Sequence, residues 1–337
     1  MVTLKEIAKL ANVNPSTVSR ALNDSGYVHP ETKEKIFEAA SSLSYHPKKV
    51  NNILKKGKTK TIGVIVPSLQ LNIFSGLVEA IEKEAMKYGY GIIIATTQDD
   101  PVREKAVIER FVQNFIDGLI IAASGKNNKL IQEVNLENIP VVQLIREYDD
   151  ILPSVTGNYY QCAYDAVCFL ASKGCRHIGL INGKADCLPF KERYLGYLDA
   201  MKKNGNLRFL NYLNQDKEEN FDIGYEGVNK LLIHDSKLEA IVVANDIQGI
   251  GVLKKIKEMG NDISRKLKVI SLTGNPINAL LETSLSTMEL PVEVLAEECV
   301  KMTLGKIAKS NQKIINNEFD AEKYVFQFKL IERDSTN

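Results

Sequence analysis

From its first residues the chain places apolar side chains at three- and four-residue intervals. Leu4, Ile7, Ala8, Leu10 and Ala11 predict an amphipathic helix. Thr3 with Glu6 three positions later is a capping-box pattern that fixes where this helix begins. Asn12 tolerates left-handed backbone and marks a tight turn. Asn14 followed by Pro15 reads as the cap and first residue of a second helix, which runs to Leu22 and buries Val18, Ala21 and Leu22. A third helix is predicted from about Glu31 to Leu43, with Ile36, Phe37, Ala40 and Leu43 inward. Two short helices joined by a four-residue turn and braced by a third form a helix-turn-helix, which sets its second helix in the DNA major groove.

Beyond Ile62 the rhythm changes. Strand-like runs fall at Ile62–Pro67, Gly91–Ala95, Gly118–Ala122 and Val141–Leu144, separated by helical patterns near Ile73–Tyr88, Pro101–Asn114 and Asn127–Leu136. A second set has strands at His177–Ile181, Leu207–Leu213, Ala240–Ala244 and Leu267–Leu272. Its helices lie near Cys162–Lys173, Lys191–Asn204, Phe221–Ile233 and Gln248–Met259. Thr283–Met288 and Tyr324–Leu330 read as further strand around a helix at Val292–Lys309. Strand–helix alternation implies parallel sheets covered on both faces. Two successive sets imply two lobes with a ligand crevice at the carboxyl ends of the strands.

Length and composition narrow the class. A chain of 337 residues suits two or three domains, and 44% hydrophobic with 25% charged residues is ordinary globular usage. The longest apolar run, around Gly118–Ala123, is strand-sized, far short of the ~20 residues a membrane helix requires. The first residues carry an early acid and no apolar core, unlike a signal peptide, so a cytoplasmic protein is expected. Five cysteines without CxxC spacing point to reduced thiols rather than disulfides or zinc. Charge is uneven: residues 1–60 hold ten Lys and one Arg against four Glu and one Asp, a formal +6 on a remainder of about −5. Only the first sixth is therefore expected to touch a polyanion. On it, Ser16 and Arg20 are the candidate base readers, the planar arginine fork matching the acceptor edge of guanine. Thr17, Ser19, Asn23 and Tyr27, with Thr3 and Pro15 at the helix starts, are candidates for backbone positioning.

The run Val2-Thr3-Leu4-Lys5-Glu6-Ile7-Ala8, then Val13-Asn14-Pro15-Ser16-Thr17-Val18-Ser19-Arg20-Ala21-Leu22-Asn23, closely resembles the headpiece of the lactose/galactose-repressor (LacI/GalR) family. The resemblance continues through Ser44-Tyr45-His46-Pro47, Val50–Gly57 and Thr61–Pro67, and extends to about residue 330. It implies an all-α headpiece at 1–46, a hinge helix at 47–60, and an α/β effector-binding and dimerisation domain at 61–337. The body would be a two-lobed, type I periplasmic-binding-protein-like fold with parallel sheets, its N-lobe about 61–157 and 289–318 and its C-lobe about 160–287 and 320–337. The chain would cross between lobes near 157–160, 287–291 and 318–321. In the hinge, Leu54 matches a leucine that wedges into the minor groove, with Asn51 and Lys55 beside it; Lys55 and Lys56 can neutralise phosphates.

The implied partners are near-palindromic double-stranded operator DNA, a small-molecule effector and a second copy of the chain, with no cofactor and no membrane. Phe74, Arg193, Asn245 and Asp246 match effector-contacting positions, and Ser68, Arg146 and Thr273 join them as candidates. Three departures stand out: Ile145-Arg146, Gly157-Asn158 and Ser271-Leu272-Thr273 each lack a carboxylate common in the family. Arginines left without neighbouring carboxylates would favour a sugar phosphate or sugar acid over a neutral sugar. A degenerate pocket answering to a protein partner is the alternative, and a transporter's solute-binding protein a more distant one. Enzyme signatures are missing: no Walker sequence, GxSxG or HExxH occurs, Gly249-Ile250-Gly251 lacks a third glycine, and the four histidines have no metal-ligand spacing.

Overall fold

The computed structural model describes residues 3–23, 26–43, 59–70, 72–113, 116–184, 187–205, 210–212, 220–260, 267–310 and 322–337. The chain separates into two units, Met1–Thr59 and Lys60–Asn337. In the first, α1 (Leu4–Leu10), α2 (Pro15–Asn23) and α3 (Pro30–Ser42) pack around Ile7, Ala8, Val18, Ala21, Ile36, Ala39 and Ala40. The Glu6 carboxylate accepts hydrogen bonds from the Thr3 N–H at 2.6 Å and the Thr3 hydroxyl at 2.9 Å, and these bonds lower its pKa. Asn12 takes the left-handed conformation its turn requires, φ 52°. Two expected core positions are corrected. Phe37 is 47% exposed and Leu10 57% exposed, because each falls one residue off the stripe on which Ile7/Ala8/Ala11 and Ile36/Ala39/Ala40/Leu43 lie.

The second unit contains two six-stranded sheets. The first has the order β2-β1-β3-β4-β5-β11, formed by β1 (Thr61–Val66), β2 (Gly91–Thr96), β3 (Gly118–Ile121), β4 (Val141–Leu144), β5 (Ser154–Gly157) and β11 (Lys323–Phe326), and every pairing is parallel. The second has the order β7-β6-β8-β9-β10-β12, from β6 (Ile178–Ile181), β7 (Leu210–Tyr212), β8 (Ala240–Val243), β9 (Lys268–Ser271), β10 (Ser286–Glu289) and β12 (Lys329–Ile331). Only β12 runs antiparallel, against β10. β5 escapes the hydrophobic pattern because Ser154-Val155-Thr156-Gly157 offers one aliphatic residue, yet it is wholly buried between neighbours.

Helices cover both faces. In the N-lobe, α4 (Asn72–Lys87) and α11 (Val292–Ser310) share a core with Ile62, Val64, Ile120, Val142 and Leu144. On the opposite face α5 (Pro101–Gln113) and α6 (Asn128–Leu136) meet Ile65, Leu119, Ile121 and Val141. The C-lobe repeats the plan. Ala240 and Val242 of β8 face α7 (Tyr159–Ser172) and α8 (Leu188–Lys203), whereas Ile241 and Val243 face α9 (Asn220–His234) and α10 (Asp246–Glu258). This alternation is the two-residue period of a strand buried on both sides.

The chain passes between the sheets after β5, after β10 and between β11 and β12. The third passage is therefore at 327–328, not at 318–321, because Lys323–Phe326 pairs with β5 of the N-lobe before the chain leaves it. The three passages touch. A Cβ at Gly157 would stand 2.7 Å from the Phe328 ring and 3.0 Å from Leu290. That contact gives a physical reason for glycine where an acidic side chain was expected.

Helix pairs in the C-lobe approach at backbone level. A Cβ at Gly224 in α9 would lie 2.0 Å from Gln248 O, and one at Gly251 in α10 would lie 2.2 Å from Phe221 O. Gly249-Ile250-Gly251 is thus a helix-packing element, not part of a phosphate-binding loop. Gly→Ala at an open helix position gains about 1 kcal/mol. Here the overpacking term dominates, so Gly251→Ala is expected to lower unfolding stability by about 1–3 kcal/mol in urea denaturation; an increase would refute the close-approach reading.

Candidate functional site

Two surfaces hold the residues singled out above. On the headpiece, Asn14 caps α2: its carbonyl accepts from Thr17 N at 2.8 Å, and its side chain accepts from Ser16 N and Oγ at 3.5 and 3.3 Å. The helix spends Val18 and Ala21 on the core and leaves Pro15, Ser16 and Arg20 exposed, with Thr17 and Ser19 at half-buried positions. Thr3 is exposed at the start of α1, and Tyr27 is 86% exposed. The Arg20 stem lies over Gly26, whose absent Cβ would sit 3.4 Å from its Cδ. Asn23 closes α2. Asn51, Leu54 and Lys55 lie outside the described residues.

The second surface is a cavity of about 610 Å³, counting its open mouth, within the body. Ile73, Phe74, Ile145 and Arg146 line it from the N-lobe. Tyr159, Pro189, Phe190, Arg193, Asn245, Asp246 and Thr273 are among the residues on the other side. Six of the seven expected effector residues therefore converge. Ser68 does not line the cavity; it is half-buried and its hydroxyl accepts from Gln70 N at 3.1 Å, closing a local turn.

Much of the C-lobe side is built from the first turns of helices. Asn158 accepts from Gln161 N at 3.0 Å and starts α7 at Tyr159, three residues before the expected start. Asn245 accepts from Gln248 N at 3.0 Å and starts α10 at Asp246. α8 begins at Leu188, which brings Pro189, Phe190 and Arg193 to the cavity. Tyr159 and Phe190 were missed because the apolar periodicity placed both helix starts too late; the asparagine cap was the available signal at Tyr159.

Arg193 is 4% exposed. Its Nη1 donates to Ala244 O at 3.0 Å and its Nη2 to Leu272 O at 3.1 Å, joining the chain just past the ends of β8 and β9. The guanidinium lies 5.0 Å from the Tyr159 ring centroid and 5.8 Å from that of Phe190. Its buried Nε has no hydrogen-bond partner. Leaving such a donor unmet costs about 1–3 kcal/mol, which an acceptor on a bound molecule would recover. Asp246 lies on the same side, accepting from Asn278 Nδ2 at 2.7 Å.

Arg146 is arranged differently. Its backbone follows Ile145, a β-branched residue at φ 67°, and Arg146 N closes a tight turn on Leu144 O at 2.6 Å. Conformations of this kind cost about 1–3 kcal/mol and persist where surroundings enforce them. The 6% exposed guanidinium pairs through both Nη atoms with Asp99, Nη2 to Oδ2 at 3.0 Å, and donates to Ala123 O at 3.2 Å. Burial works against its charge, but the Asp99 hydrogen bonds carry its pKa upward. The expectation that Arg146 lacks a neighbouring carboxylate is thus wrong, and the argument for an anionic effector loses that cation. Nothing in the sequence joins Asp99 to a residue 47 positions later.

At the cavity edge, Tyr148 Oη accepts from Leu188 N at 3.4 Å across the lobes. Burial pushes the Tyr148 hydroxyl up to about 12 and raises the neighbouring Cys187 thiol. Burial also raises Asp246, to about 6 from 3.8. Between these values the folded state retains a proton that the unfolded state has released. This group's contribution to stability therefore falls as pH rises from about 4 to about 6, by about 3 kcal/mol in full. Asp246→Asn should remove that slope in paired urea titrations at pH 4 and pH 7; parallel wild-type and variant profiles would contradict it.

No helix of the described residues is long and apolar enough to cross a membrane. The chain is 28% identical over 339 residues to the HTH-type transcriptional regulator RegA of Clostridium saccharobutylicum, covering 99% of each chain. It is 27% identical to the ribose operon repressor of Halalkalibacterium halodurans, over 100% of this chain and 97% of that one. Its fold matches the lac repressor dimer bound to operator and an anti-inducer, with a TM-score of 0.79 at 21% identity over 99% of both chains. Residues 3–48 match the model of bacterial regulatory proteins of the lacI family, and residues 59–319 match that of periplasmic binding proteins and the sugar-binding domain of the LacI family. With the helix-turn-helix and the two-sheet body in one chain, this protein belongs to the LacI family of bacterial regulatory proteins.

Proposed function

We propose that this protein is a cytoplasmic repressor of genes for carbohydrate uptake or metabolism. It binds a near-palindromic operator as a homodimer and is controlled by a small molecule held between its lobes. The observation that carries this reading is the division of α2: its apolar residues are committed to the headpiece core, while Ser16 and Arg20 remain exposed on a unit of strongly basic sequence. Arg20 supplies base selectivity through its fork. Thr3, Pro15, Thr17, Ser19, Asn23 and Tyr27 set the headpiece on the phosphate backbone, while the hinge residues Asn51 and Lys55 flank the Leu54 wedge. Carbohydrate control is supported by the relative named as a ribose operon repressor and by the sugar-binding family model that spans the body.

Effector binding rests on Phe74, Arg146, Arg193, Asn245, Asp246 and Thr273 around one cavity. A cavity that still gathers the Phe74, Tyr159 and Phe190 rings with Arg193, Asn245 and Thr273 favours a small molecule over a pocket that has lost its ligand. Differential affinity for two lobe arrangements would then shift the population competent for DNA.

Selection from random duplexes followed by mobility shift tests the assignment. Arg20→Ala should weaken the selected site by about 1–3 kcal/mol and relax one base position, while Lys55→Ala should weaken all duplexes alike and flatten the salt dependence by about one unit. Unchanged sequence-selective affinity in an Arg20→Ala/Leu54→Ala double variant would overturn the reading.

A further inference from the structure

Arg146 presents the planar donor fork that a carboxylate or phosphate ligand would occupy with two oxygens. In this chain a protein carboxylate already holds it. We infer that Asp99 is a built-in anion that fills the Arg146 fork and makes the cleft select uncharged effectors over their acidic or phosphorylated counterparts. The inference rests on the cleft being the effector site and adds the residue that sets ligand charge.

The pairing is constructed by the fold. Asp99 follows β2 in a loop where Gln98 and Asp99 both take left-handed backbone, φ 56° each. The loop is tied down by Thr97 N to Val66 O at 3.1 Å, Gln98 N to Pro67 O at 2.7 Å and Arg103 Nη1 to Gln98 Oε1 at 2.9 Å. Two adjacent non-glycine residues in this conformation need such support. From the other side, the turn at Ile145 brings Arg146 forward, and its guanidinium lies 6.0 Å from the Phe74 ring centroid. Arg146 lines the cavity whereas Asp99 lies behind it, with its side chain 36% exposed. An arriving anion would thus find the two-Nη face of the fork taken and the guanidinium charge already balanced by Asp99. A neutral ligand meets a guanidinium whose charge is already balanced, and loses nothing to repulsion.

Full-length protein tests this, with inorganic phosphate as the probe and D-ribose and D-ribose 5-phosphate as a matched pair. For the wild type, phosphate should give no calorimetric binding at millimolar concentration, and the phosphate ester should bind no tighter than the sugar. Asp99→Asn keeps the shape and removes the charge. It should gain at least tenfold in affinity for inorganic phosphate and for the ester, and adding Arg146→Met should erase the gain. The proposal is overturned if the wild type prefers the ester tenfold, or if Asp99→Asn gains nothing while still melting cooperatively. Should that variant fail to fold, the wild-type arm decides, with phosphate raising its melting temperature in an Arg146-dependent way as the refuting result. The underlying effector reading fails separately: operator affinity would then ignore Arg193→Ala with every metabolite tried, while the phosphate gain in Asp99→Asn would stand.

Discussion

A parallel sheet cannot be closed by tight hairpins, so every strand must be followed by a crossover and all strands finish at the same edge. That constraint builds the cleft. Asp99 follows β2, Arg146 follows β4, Tyr159 follows β5, Asn245 and Asp246 follow β8, and Thr273 follows β9. Arg146 and Thr273, 127 positions apart, line one cavity because each sits a few residues past the end of a strand. Both sheets turn these edges toward the same cavity, and α7, α8 and α10 begin there, bringing backbone donors as well as side chains. Among the described strands only β12 breaks the parallel rule; it lies at the sheet margin, its first residue Lys329 opposite Glu289 at the end of β10.

Within that frame Arg193 and Arg146 serve different ends. Arg193 ties the segments after β8 and β9 through Ala244 O and Leu272 O and lies beside two aromatic rings, so its position is fixed before any ligand arrives. Preorganisation of this kind leaves a ligand less ordering to do on binding. Arg146 is held by a carboxylate from another loop and by a strained turn. One guanidinium keeps a donor in reserve while the other is balanced. Net cation count, which the sequence supplies, is therefore a poor guide to what this cleft prefers.

The headpiece was legible almost to the residue because its signals are local: Thr3 with Glu6, Asn12, Asn14 with Pro15. The alternation of strands and helices was legible for the same reason. β5 was not, since a four-residue strand with one aliphatic side chain owes its burial to its neighbours rather than to its own pattern. The starts of α7 and α10 were set by asparagine caps that apolar periodicity overlooks. Asp99 was invisible for a deeper reason: its role exists only once two loops, 47 residues apart in sequence, are folded against each other. The last crossing was misplaced because Lys323–Phe326 completes one sheet and Lys329–Ile331 the other, with two residues between them.

Those two residues bear on how the body can move. Gly157, Leu290 and Phe328 come from the three separate passages and press together without a gap. Three parallel linkers of unrelated length would let the lobes slide, twist or splay in many directions. Three that share one apolar contact would act as a single pivot, favouring a swing of the lobes over a drift along it. The C-lobe helix pairs approach closely at Gly196 against Tyr160 O and at Gly251 against Phe221 O, and would move as units in such a swing. A bulky group in place of Gly157 would crowd Phe328 and Leu290 while leaving the residues that line the cleft in place, so a residue with no side chain and no ligand contact would govern how the lobes move.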